Sequence, residues 1–143
     1  MAASASQAKL VKLVRLVRIV LMTAGNQEQA NRIARVLVDE RLAACVNVIG
    51  PIRSVYRWRD AVEDETEYLL LAKTRAALCP RLERRVKELH TYEVPEVIAI
   101  SPSSGSGAYL EWLMESTAEA KRASQPRTIR KRPSPSSGKR VRR

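Results

Sequence analysis

One histidine, two cysteines and three methionines are the soft-donor inventory of this 143-residue chain. His90 closes a segment of helical periodicity, where an imidazole can hold a helix end through hydrogen bonds or act as a metal ligand. Spacing alone favours the first role. Cys45 sits in an apolar run, and because free cysteine is among the most buried residue types, packing is its stronger reading. No pair of soft ligands occurs at a short metal-site spacing such as Cys-x-x-Cys, so a self-contained structural zinc in one subunit is not expected. Nor does a nucleophile stand beside a base. Ser101, Ser103 and Ser104 fall in a Ser/Gly/Pro loop, and His90 would have to fill every acid and base role. The chain is therefore expected to bind and assemble rather than to catalyse.

The elements that must position these residues are legible from periodicity. Residues 18–22 read as a buried strand. Asn26 precedes Gln29 by three, a variant of the capping box, and Ala30, Ile33, Ala34, Leu37 and Val38 mark one stripe of a helix of about four turns. Residues 42–49 are almost continuously apolar, Gly50-Pro51 breaks or bulges the chain, and 52–59 alternate so that Ile52, Ser54, Tyr56 and Trp58 share a face. A polar turn over 60–64 returns the chain into a second long strand, on which Glu65, Glu67 and Lys73 share one parity. Their default is a solvated face, with the lining of an inter-subunit cleft as the functional alternative. Pro80 suits a first helical turn, Leu82, Val86 and Leu89 continue a second helix to about His90, and 94–100 read as a strand. After the 101–107 loop a last helix places Tyr109, Trp112, Leu113 and Ser116 on one side.

Charge divides the chain. The net +11 is held by the ends. Residues 1–18 carry Lys9, Lys12, Arg15 and Arg18 without an acid, and 119–143 carry ten Lys/Arg against Glu119, so the middle is left at −2. Residues 1–17 are expected to be a basic arm, either disordered or extending the first strand, since four Lys/Arg-apolar-Val triplets lead into it. A membrane-surface helix ranks last because a three-residue period spreads the charges around a helix. Residues 119–143 are too rich in Arg, Lys, Ser and Pro to build a core and lack aromatics for base stacking, so any contact with polyanions should be non-specific and salt-sensitive. Two cysteines in apolar settings fit a reducing compartment, and no apolar stretch is long enough for a signal h-region or a membrane span, so a cytoplasmic location is expected.

The order strand, helix, strand, strand, helix, strand is the split β-α-β arrangement of an α+β, ferredoxin-like sandwich, here with an extra C-terminal helix, over residues 18–118. In that topology the first strand of the hairpin lies at a sheet edge. An edge carrying Tyr56 and Trp58 asks for a partner, and a closed homo-oligomer is the expectation. The alternative is that the final helix folds back over this edge.

Five ordered blocks sharpen the reading: Leu42-Ala43-Ala44-Cys45-Val46-Asn47, Ser54-Val55-Tyr56-Arg57-Trp58, Lys73-Thr74, His90-Thr91-Tyr92-Glu93-Val94-Pro95-Glu96 and Tyr109-Leu110-Glu111-Trp112. In sequence and spacing they resemble the CutA divalent-cation tolerance family. The resemblance implies a ferredoxin-like subunit in a tight trimer, a cytoplasmic setting in bacteria, no attached reaction, and tolerance of copper and other divalent metals, with no metal needed for folding. It also implies copper ligands at His90 and at the strand position held here by Met22, where relatives often have Cys; a thioether binds more weakly, which brings Cys45 forward as a substitute. Tyr56, Trp58, Lys73, Tyr92, Glu93 and Trp112 are the candidates for a trimer interface or its clefts. This sequence departs from the family pattern at Thr91 in place of Pro, at Gly25 in place of Pro, and at Gly107-Ala108. The leading expectation is a trimeric metal-binding protein of the cytoplasm. The alternative is a structural or signalling trimer that takes a small ligand or protein partner in inter-subunit clefts, with polyanion binding by the tail as a third possibility.

Overall fold

The computed structural model describes residues 4–119. In chain order these form α1 (Ala5–Leu16), β1 (Val17–Ala24), α2 (Gln27–Asp39), β2 (Cys45–Trp58), β3 (Ala61–Arg75), a 3₁₀ turn (Ala76–Leu78), α3 (Cys79–Leu89), β4 (Val97–Ile100) and α4 (Gly107–Ser116). The strands make one antiparallel sheet in the order β2-β3-β1-β4, the ferredoxin-like arrangement. The expected basic tail falls outside the described residues beyond Glu119.

Strand alternation sorts the sheet into two faces. Val20, Met22 and Ala24 of β1 and Leu70 and Ala72 of β3 point towards α2 and α3 and are buried with Ala30, Ile33, Leu37, Leu82 and Val86. α2 starts on Asn26, whose side chain accepts from the Gln29 backbone N–H at 2.8 Å. The Gln29 side chain does not return to the cap as the sequence pattern suggests; its Nε2 donates to Thr91 Oγ1 at 3.1 Å and ties the helix start to the 90–96 segment.

Among the described residues the opposite face is covered only at one end. There α4 packs Leu110 and Leu113 onto Val17, and α1 adds Leu10, Leu13 and Val14. Arg75 fastens α4 by donating to Thr117 Oγ1 at 2.8 Å and to the Met114 carbonyl. Residues 5–16 are thus helical, where the sequence reading offered disorder or a longer first strand. Ser4 and Gln7 form a reciprocal capping box, and Leu10, Leu13 and Val14 occur at the i, i+3, i+4 spacing that α4 can bury. Along α4 the buried pair is Leu110 and Leu113, while Tyr109 and Trp112 stay 43% exposed.

Past Val17 none of the described residues covers this second face. Ile19, Leu21, Leu69 and Leu71 are half-buried, and Ile49, Ile98 and Ile100 are 46%, 50% and 43% exposed. Among the described residues, β2 and β4 also have unpaired outer edges, and α4 does not fold over the β2 edge. The β2 strand is bulged between Ile49 and Ile52. A methyl added at Gly50 would collide with the Tyr68 ring. Gly50→Ala is therefore expected to cost about 1–3 kcal/mol, read as a lower urea midpoint with an unchanged slope.

Candidate functional site

The three soft donors do not converge. Met22 is 1% exposed in the core beneath the helices. Cys45 pairs in register with Lys73, one parity away from Leu70, the partner of Met22, so the two sulfurs lie on opposite faces of the sheet. Cys45 Sγ has Lys73 Nζ at 4.0 Å and Asn47 Oδ1 at 3.8 Å. His90 is committed to the backbone. Its Nε2 lies 2.7 Å from the Thr23 carbonyl, which can only accept, so this nitrogen carries the proton. Its Nδ1 then accepts the Tyr92 backbone N–H at 3.0 Å. Neither nitrogen keeps a free lone pair, and the ring leans on Tyr92 with centroids 4.6 Å apart. His90 positions the 90–96 segment. Among the described residues no group of three or more His, Cys, Asp or Glu is arranged to hold a metal ion.

What that segment builds is a cleft of about 630 Å³ at the far end of the bare face from α4. It is lined by Thr23 of β1, by Ser54, Tyr56 and Trp58 of β2, by Glu65 and Glu67 of β3, and by Tyr92, Glu93, Val94 and Glu96. Two carboxylate–phenol pairs order the interior. Tyr56 donates to Glu65 at 2.8 Å, and Tyr92 donates to Glu67, itself only 6% exposed, at 2.9 Å. Each carboxylate keeps acceptor capacity, because two oxygens offer more sites than one phenol fills. Gly25 leaves room for Tyr92: a methyl there would stand 2.9 Å from the phenol oxygen.

Both phenols resist ionisation. Burial, then the hydrogen bond and charge of Glu67, hold Tyr92 well above the ordinary tyrosine range. The hydrogen bond to Glu65 is the main cause at Tyr56, which with burial and the nearby Glu67 and Glu63 is pushed up to about 12. A folded pKa above the unfolded value of 10.0 means that the folded state keeps protons the unfolded state releases. This contribution to stability is whole below pH 10 and is lost as pH rises through the folded values. Stability is thus expected to decline above pH 10, less steeply in Tyr92→Phe, and ultraviolet phenolate titration should show Tyr56 and Tyr92 ionising late. Equal decline in wild type and Tyr92→Phe would contradict the assignment.

Of the six residues read as interface or cleft, Tyr56, Trp58, Tyr92 and Glu93 line this cleft. Lys73 does not: it lies towards the α4 end of the face, in register with Ile19 and Cys45, its ammonium on Asn47. Trp112 does not either; it packs at a tilt against Tyr109 on α4, with ring centroids 5.4 Å apart. Thr23, Ser54, Val94 and Glu96 also line it and were not among the candidates. Val94 and Glu96 belong to the 90–96 segment, but nothing in their spacing ties them to the hairpin carboxylates.

Comparison with known proteins agrees with this architecture. Residues 18–116 match the family model described as CutA1 divalent ion tolerance protein, leaving α1 outside the match. The divalent-cation tolerance protein CutA of Thermus thermophilus is 48% identical over 98 residues, which cover 68% of this chain and 95% of that protein. Human protein CutA is 43% identical over 96 residues, 67% of this chain, which spans 54% of the human protein. Among solved structures, the Thermus thermophilus protein superposes with a TM-score of 0.70 at 46% identity, covering 72% of this chain and all of that one. CutA1 from Oryza sativa gives 0.71 at 42% identity, covering 76% and 99%. Match length, identity and topology together place the chain in the CutA1 divalent ion tolerance protein family.

Proposed function

We propose that this chain is a non-catalytic binding protein that assembles as a trimer through its bare sheet face and open edges, and that it draws divalent cations into the acidic cleft at the end of that face. The cleft carries the reading: Glu65, Glu67, Glu93 and Glu96 converge on one concavity in which Tyr56 and Tyr92 hold two of the carboxylates in place. Four carboxylates on low-dielectric walls concentrate cations. Oxygen donors suit hard ions, which keep several waters, and they accept Cu(II) better than Cu(I). Copper enters this proposal as Cu(II), held through waters or through donors that a second subunit adds. A soft Cu(I) site is disfavoured by the separation of Met22 from Cys45 and by the saturated His90 ring.

The engagement of both His90 nitrogens also supports a binding role, since the one histidine is not free to move protons. A reducing, cytoplasmic setting belongs to the proposal because both cysteines are unpaired thiols. Similar proteins are named as chloroplastic in Arabidopsis thaliana and as periplasmic in Archaeoglobus fulgidus, and no helix among the described residues is long and apolar enough to cross a membrane. Equilibrium dialysis of the full chain against micromolar Cu(II) tests the cleft. Retention that drops at least tenfold in Glu65→Gln/Glu67→Gln is the expected result. Unchanged retention in that variant would remove the cleft from the account.

A further inference from the structure

The cleft is more aromatic than a metal site needs to be. Trp58, Tyr56 and Tyr92 face it alongside four carboxylates, and ring faces next to carboxylates recognise ammonium and guanidinium groups, which bring both a charge and a flat or alkyl surface. The chain already shows such a contact on two of the lining residues. The Arg59 guanidinium lies 5.3 Å from the centroid of the Trp58 ring and 2.8 Å from Glu93 Oε2. That ion pair is exposed, at 71% and 70%, so it is weak and readily exchanged.

We infer that the cleft is a site for a small organic cation, an alkyl guanidinium or alkyl primary ammonium, and that Arg59 is a tethered competitor at its mouth. The cationic head of the ligand takes the place of Arg59 between Trp58 and Glu93. Its chain lies along Tyr56 and Val94, and a second charge, where present, reaches the free lone pairs of Glu65 and Glu67. About 630 Å³ accommodates a molecule of this size. The inference rests on the cleft reading above and gives it a ligand class; metal ions would then compete for the same carboxylates.

The probe is agmatine, a four-carbon chain with a guanidinium at one end and a primary ammonium at the other, titrated calorimetrically into the full chain. Saturable binding is expected, weakened about tenfold by Trp58→Leu and largely retained by Trp58→Phe. Arg59→Gln should strengthen binding about threefold, because the competitor is gone. A merely structural role for Arg59 would not produce tighter binding. Absence of saturable binding, or binding indifferent to Trp58→Leu, overturns the inference, and weaker binding in Arg59→Gln overturns the competitor. A parallel Cu(II) titration separates the two levels. Cu(II) uptake sensitive to Glu65→Gln/Glu67→Gln without agmatine binding leaves the cleft a metal site and defeats the organic cation, whereas failure of both ligands defeats the cleft itself.

Discussion

Met22→Ala is expected to destabilise the fold by about 2–5 kcal/mol, whereas Met22→Leu should cost less than about 1.5 kcal/mol. Neither change should alter copper retention. The side chain is 1% exposed among Val20, Ala30, Ile33, Leu70 and Leu82. Deleting it therefore removes burial and leaves a cavity that rigid neighbours on two helices close only in part. Leucine preserves the volume and removes the sulfur. Urea denaturation measures the first quantity and dialysis against Cu(II) the second. Copper retention that falls in Met22→Leu with stability intact would restore the thioether as a ligand and contradict the core assignment.

The second large effect concerns assembly. Ile98→Asp should convert the protein to a monomer at micromolar concentration without unfolding it. Ile98 is 50% exposed in the single chain and stands on the open edge strand β4 of the bare face, in register with Leu21. In a monomer a carboxylate there stays in water and costs little. In an assembly it would be desolvated against apolar side chains, at several kcal/mol per subunit. Light scattering of the variant should give about the 16.1 kDa of one chain, with its far-ultraviolet dichroism retained. An oligomer that persists would show that the contact surface lies elsewhere.

Much of this was legible in the sequence, for identifiable reasons. The α2 stripe of Ala30, Ile33 and Leu37 and the alternation across the β2–β3 hairpin are local, periodic signals that burial then fixed. The end of α3 at His90 was visible as well. β4 shortened from an expected 94–100 to Val97–Ile100 because Val94 and Glu96 turn towards the cleft instead of pairing with β1. α1 was misread: a three-residue Lys/Arg period masked the Leu10, Leu13, Val14 stripe, although Ser4-x-x-Gln7 signalled a helix start. The site was half legible. The edge-strand argument singled out Tyr56 and Trp58, but as interface or core residues rather than the lining of a cleft; the Tyr92–Glu67 bond joins residues 25 apart in sequence, and only the register of β1 with β3 brings Thr23 and Glu67 to the same end of the sheet. The disposition of Met22 and Cys45 turned on strand parity across two ladders. One residue's slip would have put them on one face, so spacing alone could not decide it.

Among the described residues one apolar sheet face is uncovered and two sheet edges are open, which is half of an interface. Sedimentation equilibrium of the full chain across the micromolar range tests this most directly. The account predicts a mass of about 48 kDa, three times the 16.1 kDa of one chain, stable on dilution. A monomer mass throughout that range would contradict it.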